Sequence, residues 1–249
     1  MQFGVKELFL GPRRLMRRIR SMRGAGSRSP RKLEALRMLR DRGVRITSIV
    51  DVGVLHGTPE LVDVFSDLPH ILFEPVTECA PQIERVYRNI DYTLVQKAVG
   101  DRDGYCNLRI RGEAGALTSS AHVERVPGED VRPVELISLD TFWAQAGPVE
   151  DSLLKIDTDG HEEAVLQGGG EFVGKCSVVI IESTNANINR ILELMFGMGF
   201  LIFDLVEPCY YDGALWQVDI IFIRKDIMGI SFDTISDKGV DFSKYEIFK

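Results

Sequence analysis

From Ile46 onward, short apolar runs alternate along the chain with segments of helical periodicity. Ile46–Val52 is β-rich and leads into a helix through Pro59–Ser66. His70–Phe73 reads as a second strand, Pro81–Asn89 as a second helix and Tyr92–Val99 as a third strand. Cys106–Arg111 and Val134–Ser138 read as further strands, separated by a loop-rich stretch from Gly112 to Pro133. Leu153–Asp157 is another strand, and His161–Gln167 a helix closed by Gly168-Gly169-Gly170. Ser177–Glu182 then gives a strand and Asn187–Met198 a helix, while Leu201–Val206 and Gln217–Arg224 suit a closing hairpin. Short apolar strands alternating with helices predict a mostly parallel sheet with helices on both faces, an α/β fold.

Upstream the pattern changes. Residues 1–23 suit a basic helix with Phe3, Leu8, Phe9, Leu15, Met16 and Ile19 as its apolar positions. Gly24–Pro30 reads as a linker, and a helix over 31–42 ends at Gly43, which serves as its C-cap. The expected division is a basic N-terminal helical extension (1–45), a sheet domain (46–225) and a C-terminal tail (226–249).

Charge sharpens this division. The net charge of −7 conceals 14 Lys/Arg against 3 acids in residues 1–45, and 16 against 34 in the rest. The arm suits docking on the acidic domain, a protein partner or an anionic membrane surface. The acidic domain repels nucleic acid and shows no interleaving of basic and aromatic residues, so no nucleic-acid partner is expected. Cys79, Cys106, Cys176 and Cys209 lie far apart without a C-x-x-C pair, as reduced intracellular thiols would. No apolar run reaches the roughly 18 residues of a membrane span, and Lys6 and Glu7 interrupt any signal-peptide core. The expectation is a cytoplasmic protein, membrane-peripheral if the arm meets lipid.

In open α/β sheets ligands bind beyond the carboxyl ends of the strands, and three strand ends here carry suitable chemistry. Asp51-Val52-Gly53-Val54-Leu55-His56-Gly57-Thr58-Pro59 runs from a strand through a glycine turn into a helix, with Thr58 as N-cap. Gly53 and Gly57 admit a close ligand because they lack Cβ, although a plain strand-to-helix turn uses glycine too. Glu74, 23 positions after Asp51, is placed to accept ribose hydroxyls, or is a loop acid stiffened by Pro75. Leu55 occupies the position where a dinucleotide fingerprint needs its second glycine, which disfavours NAD. The third strand end carries Asp157, Asp159 and His161. Asp157 reads as functional, while Asp159, Glu162 and Glu163 suit helix capping equally well. His70 reads as a strand start, His56 as pocket lining, and Trp216 and Asp219 as packing and edge residues. His122 lies with Thr118-Ser119-Ser120 in the 112–133 stretch, which is either a lid or an insertion. Asp157, Asp159 and Glu182 have no metal-ligand spacing, and no metal is expected.

Taken in order, Asp51-x-Gly53-x-x-x-Gly57, Phe73-Glu74-Pro75, Ala98-Val99-Gly100-Asp101, Ser138-Leu139-Asp140 and Leu154-Lys155-Ile156-Asp157-x-Asp159-Gly160-His161-Glu162 form a signature that resembles the FkbM methyltransferases. The likeness runs from Ile49 to Glu182. It implies a Rossmann-like class I methyltransferase fold with a seven-stranded sheet. It also implies methyl transfer from S-adenosylmethionine to a hydroxyl of a sugar, glycan or secondary metabolite. On that model Asp51, Gly53, His56 and Gly57 surround the methionine part, Glu74 holds the ribose, Asp101 lies near the adenine and Asp157 lies beside the sulfonium. Thr58, Pro75 and Ala98 complete the cofactor-binding set. Asp157 and His161, with Asp159 behind them, are the candidate bases. Asp159 stands where the family more often has Glu, and Leu55-His56 are bulkier than the usual turn residues. The alternatives are a non-catalytic module that binds an adenosyl ligand on a degenerate methyltransferase fold, and an NAD-linked oxidoreductase.

Overall fold

The computed structural model describes residues 26–110, 121–124, 131–147, 150–228 and 246–248. The expected basic helix over 1–23 lies outside them, as do 112–120 and 125–130 of the irregular stretch. Gly26–Arg28 (β1) pairs in parallel with Glu246–Phe248 in a small unit built from the two chain ends. Arg31–Gly229 form the second unit, which carries the chemistry.

Its elements follow the chain as Lys32–Asp41 (α1), Ile49–Val52 (β2), Pro59–Phe65 (α2), His70–Phe73 (β3), Ala80–Tyr87 (α3) and Tyr92–Val95 (β4). Ala98–Val99 (β5), Gly104–Ile110 (β6), Ala121–Glu124 (β7), Val131–Ile137 (β8) and Leu139–Ala146 (α4) come next. Leu153–Ile156 (β9), Glu162–Gln167 (α5), Gly170–Val173 (α6), Val178–Thr184 (β10) and Ile188–Gly197 (α7) lead to the hairpin Phe200–Tyr211 (β11) and Ala214–Arg224 (β12). Seven strands form one sheet in the order β11-β12-β10-β9-β2-β3-β4, parallel except for β12, which is antiparallel to both neighbours.

Alternate residues of the central strands feed two cores. Val50, Val52, Leu154, Ile156, Val179 and Ile181 pack toward α4–α7. Ile49, Leu153, Val178 and Ile180 pack toward Leu36 and Leu39 of α1 and Leu61 and Phe65 of α2. Both faces are covered, which explains why these strands read as unbroken apolar runs.

Four departures from the expected elements have local causes. α1 belongs to the sheet's own unit rather than to an extension ending at 45, because Ala35, Leu36 and Leu39 are buried against it. Tyr92–Val99 is two strands in two sheets, since β5 leaves β4 and joins a four-stranded sheet ordered β5-β8-β6-β7. α4 begins where Ser138 caps it, its hydroxyl accepting from the Thr141 N–H at 3.2 Å. The closing hairpin is longer than expected, and it turns through Asp212 and Gly213, both at positive φ.

Candidate active site

The carboxyl ends of β2, β3 and β9, three adjacent parallel strands, open into a cavity of about 540 Å³. Gly53 follows β2 at φ +84°, and a Cβ there would stand 1.8 Å from the carbonyl oxygen of Asp157. Only glycine lets the first turn come this close to the end of β9. Leu55, also left-handed at φ +49°, donates its N–H to Glu74 Oε2 at 2.7 Å. Glu74 Oε1 accepts from the Val76 N–H at 2.8 Å. The carboxyl that ends β3 is thus fixed to both the glycine turn and its own loop. Burial pushes it above the usual carboxylate range despite these two donors.

Below the turn lies a buried ion cluster. Lys155 of β9, 4% exposed, stands 3.2 Å from Asp51 Oδ1 and 3.1 Å from Asp157 Oδ2. Burial opposes the ammonium, and the two carboxylates more than offset it, so Lys155 stays charged. Burial would likewise raise the Asp157 carboxyl, yet Lys155 holds it below its usual value. The second oxygen of Asp51 accepts from the Thr58 hydroxyl at 2.6 Å. Thr58 therefore sits at the N-cap of α2 with its side chain committed to Asp51 rather than to the helix.

A further group occupies the neighbouring strands. Glu182 of β10 borders the cavity and accepts from the Gln217 amide of β12. Burial, with Asp157 and Asp219 beside it, pushes Glu182 up to about 8. Asp219 pairs with Lys32 of α1 at 2.6 Å.

The turn after β9 is organised by Glu162. Its Oε1 accepts from the Thr158 N–H and hydroxyl and from the Gly160 N–H, at 2.9–3.2 Å, while Oε2 accepts from the Asn187 amide. Asp159, at φ +51°, and His161 are thereby presented to the cavity. Burial pushes His161 below its usual range, so the ring is neutral near pH 7. Its Nε2 is buried without a hydrogen-bond partner among the described residues.

Of the residues singled out in the sequence, Gly53, His56, Gly57, Thr58 and Glu74 line the cavity. Pro75, Ala98, Asp157, Asp159 and His161 line it too. Asp51 lies wholly buried behind the lining, and Asp101 is not among the lining residues and pairs with Arg102 at 3.0 Å. Lys32, Lys155, Glu182 and Gln217 border the cavity without having been singled out as site residues. A lysine inside an apolar strand between two strand-end acids was the one available signal, for Lys155. Among the described residues, no three His, Cys, Asp or Glu side chains are placed to hold a metal ion.

This strand order, with a glycine turn after the central strand and a carboxylate ending the next, defines a Rossmann-like methyltransferase domain. The methyltransferase FkbM domain pattern matches residues 51–202, and the chain belongs to that family. Solved structures similar to it include precorrin-6y C5,15-methyltransferase from Geobacter metallireducens, at 11% identity and TM-score 0.42, covering 80% of this chain and 93% of that one. A putative RNA methyltransferase of Pyrococcus horikoshii shows 11% identity and TM-score 0.43, covering 86% and 99%. A putative tRNA methyltransferase of Streptococcus pneumoniae, solved with S-adenosyl-L-methionine, shows 12% identity and TM-score 0.43, covering 85% and 79%. No curated protein sequence matches the chain.

Proposed function

We propose that the chain binds S-adenosylmethionine in this cavity and methylates a hydroxyl of a sugar, glycan or other hydroxylated small molecule. The supporting observation is Glu74, a carboxylate fixed by two N–H donors at the edge of the cavity beside Gly53. Each of its oxygens keeps a lone pair for a ribose hydroxyl. Gly53 and Gly57 leave room for the methionine part, and Ala98 and Val99 give an apolar wall for the base. Leu55 fills the place of a dinucleotide glycine, so an adenosyl ligand without pyrophosphate fits better than NAD.

When bound, the cofactor supplies an electrophilic methyl group on a sulfonium cation. Asp157, held ionised by Lys155, gives this end of the cavity a negative charge that favours a cation. Holding two reactants in line contributes roughly 7–11 kcal/mol in favourable cases. A base that takes the hydroxyl proton adds about 10²–10⁴ in rate. An ion-paired Asp157 suits cation binding better than proton uptake, and His161 Nε2 is buried toward Gly100 rather than open to the acceptor.

Thermal shift tests the reading. At about 100 times Kd a ligand stabilises by roughly 2.7 kcal/mol, which for a chain of this size raises Tm by about 5–10 °C. S-adenosylmethionine and S-adenosylhomocysteine should each give such a shift, NAD should give none, and Glu74→Gln should abolish it. A shift with NAD alone, or with none of the three, would rule the proposal out.

A further inference from the structure

Strand register sets three carboxyl groups in a row at the carboxyl end of the sheet. Ile156 of β9 pairs with Ile181 of β10, so the next residues, Asp157 and Glu182, stand side by side. Glu182 pairs in turn with Asp219 of the antiparallel β12. Each outer acid has its own cation: Lys155 serves Asp157 from β9, and Lys32 serves Asp219 from α1. Glu182, in the middle, pairs with no cation among the described residues. It meets the neutral amide of Gln217 and stands beside the Asp157 carboxyl in register. Neighbouring carboxyl groups with one cation between them disfavour a second negative charge, so the pair retains a proton. Because Lys155 keeps Asp157 ionised, that proton belongs to Glu182.

We propose that Glu182 carries a proton in the ligand-free protein, sheds it when a sulfonium cation enters the cavity, and then accepts the proton of the hydroxyl being methylated. The inference rests on the reading of this cavity as the S-adenosylmethionine site. The charge accounting closes. One proton leaves for solvent on binding. In the transfer, an oxygen lone pair forms the O–C bond as the C–S bond breaks, the C–S electron pair neutralises sulfur, and the hydroxyl proton passes to Glu182. Glu182 ends protonated beside a neutral thioether, the state it holds without ligand.

The surroundings agree with this role. Asp159 and Glu162 from the turn after β9 add negative charge, and with burial and the neighbouring acids they push Glu182 up to about 8. The cations facing the row, Lys155 and Lys32, are already matched by Asp157 and Asp219. An entering cation is the missing charge.

The test is binding measured from pH 6 to pH 8, which needs no knowledge of the acceptor. S-adenosylmethionine and S-adenosylhomocysteine differ at the sulfonium and share every other titrating group, so Glu74 and His161 affect both alike. For the wild-type chain, Kd for S-adenosylmethionine should fall by up to tenfold per pH unit relative to that for S-adenosylhomocysteine. Glu182→Gln mimics the protonated carboxyl in shape and in its lack of charge, and should make the two ligands respond equally to pH. Equal pH dependence of the two ligands in the wild-type chain would overturn the proposal, whatever the variant's fold. A sulfonium-specific slope that survives in Glu182→Gln would also overturn it by placing the proton elsewhere. Failure of both ligands to bind at any pH would instead remove the cofactor reading on which it stands.

Discussion

Lys155 and Asp157, two positions apart at the end of β9, form a 3.1 Å ion pair on one face of the sheet. The same ammonium reaches Asp51 of β2 at 3.2 Å, so one buried cation ties the strand before the glycine turn to the strand that ends at the cavity.

Removing that cation leaves the wholly buried Asp51 carboxylate unpaired beside Asp157. Breaking a buried ion pair from one side costs about 3–5 kcal/mol. Lys155→Met should lose that much stability in urea unfolding near pH 7. It should also weaken S-adenosylmethionine binding, because the paired geometry of Asp51 and Asp157 is lost. A variant within 1 kcal/mol of wild type would show that the bridge contributes little.

Gly53→Ala tests the close approach of the two turns. The new methyl group would meet the Asp157 carbonyl oxygen at 1.8 Å, and the residue would be held at φ +84°. The backbone conformation alone costs about 1–3 kcal/mol, and relieving the clash must pull β2 and β9 apart at the site. The expected result is a lower Tm together with loss of the ligand-induced shift.

Glu162→Ala should separate positioning from contact. Glu162 is 2% exposed and works through the turn it holds, accepting from Thr158, Gly160 and Asn187. The cost should be roughly 1–3 kcal/mol in total, because the exposed Gly160 N–H can turn to water while Thr158 is less free to do so. Ligand affinity should drop as Asp159 and His161 lose their placement, a loss that calorimetry at constant pH would register.

Stability should carry a pH signature of Glu182. In the unfolded chain glutamate titrates near 4.3, whereas in the fold Glu182 keeps its proton up to about 8. Its contribution to folding is therefore complete below about pH 4.3 and is lost as pH rises through 8. Glu182→Gln stays neutral throughout. Its Tm should match wild type near pH 5 and exceed it increasingly toward pH 8, as differential scanning calorimetry at both pH values would show.

The residues that carry local signals were legible. Gly53 and Glu74 announce themselves by a glycine turn and a strand-end acid, and the structure gathers both with Asp157 around one cavity. The alternation of apolar runs gave the parallel sheet, because each central strand is buried on both faces. What stayed hidden depends on long-range pairing. Glu182 looks like any acid closing a strand until register sets it between Asp157 and Asp219. Lys32 reads as one more base in a basic stretch, and only the packing of α1 brings it to Asp219. The helix α4 was missed although Ser138 and Thr141 mark its start, and the Asp212-Gly213 turn signals the longer hairpin by its dipeptide alone.

The division of Tyr92–Val99 between two sheets makes the cavity a joint property of both. Its walls at Glu74 and Asp157 belong to the large sheet, while Ala98, Val99 and Leu108 belong to the small one. Gln96 and Lys97 bridge from one sheet to the other. The small sheet thus supplies an apolar wall and no charge to the cavity. Exchanges at Ala98, Val99 or Leu108 alter the shape of what the cavity admits without touching the ion cluster behind the glycine turn, so fit and charge are set by separate parts of the chain.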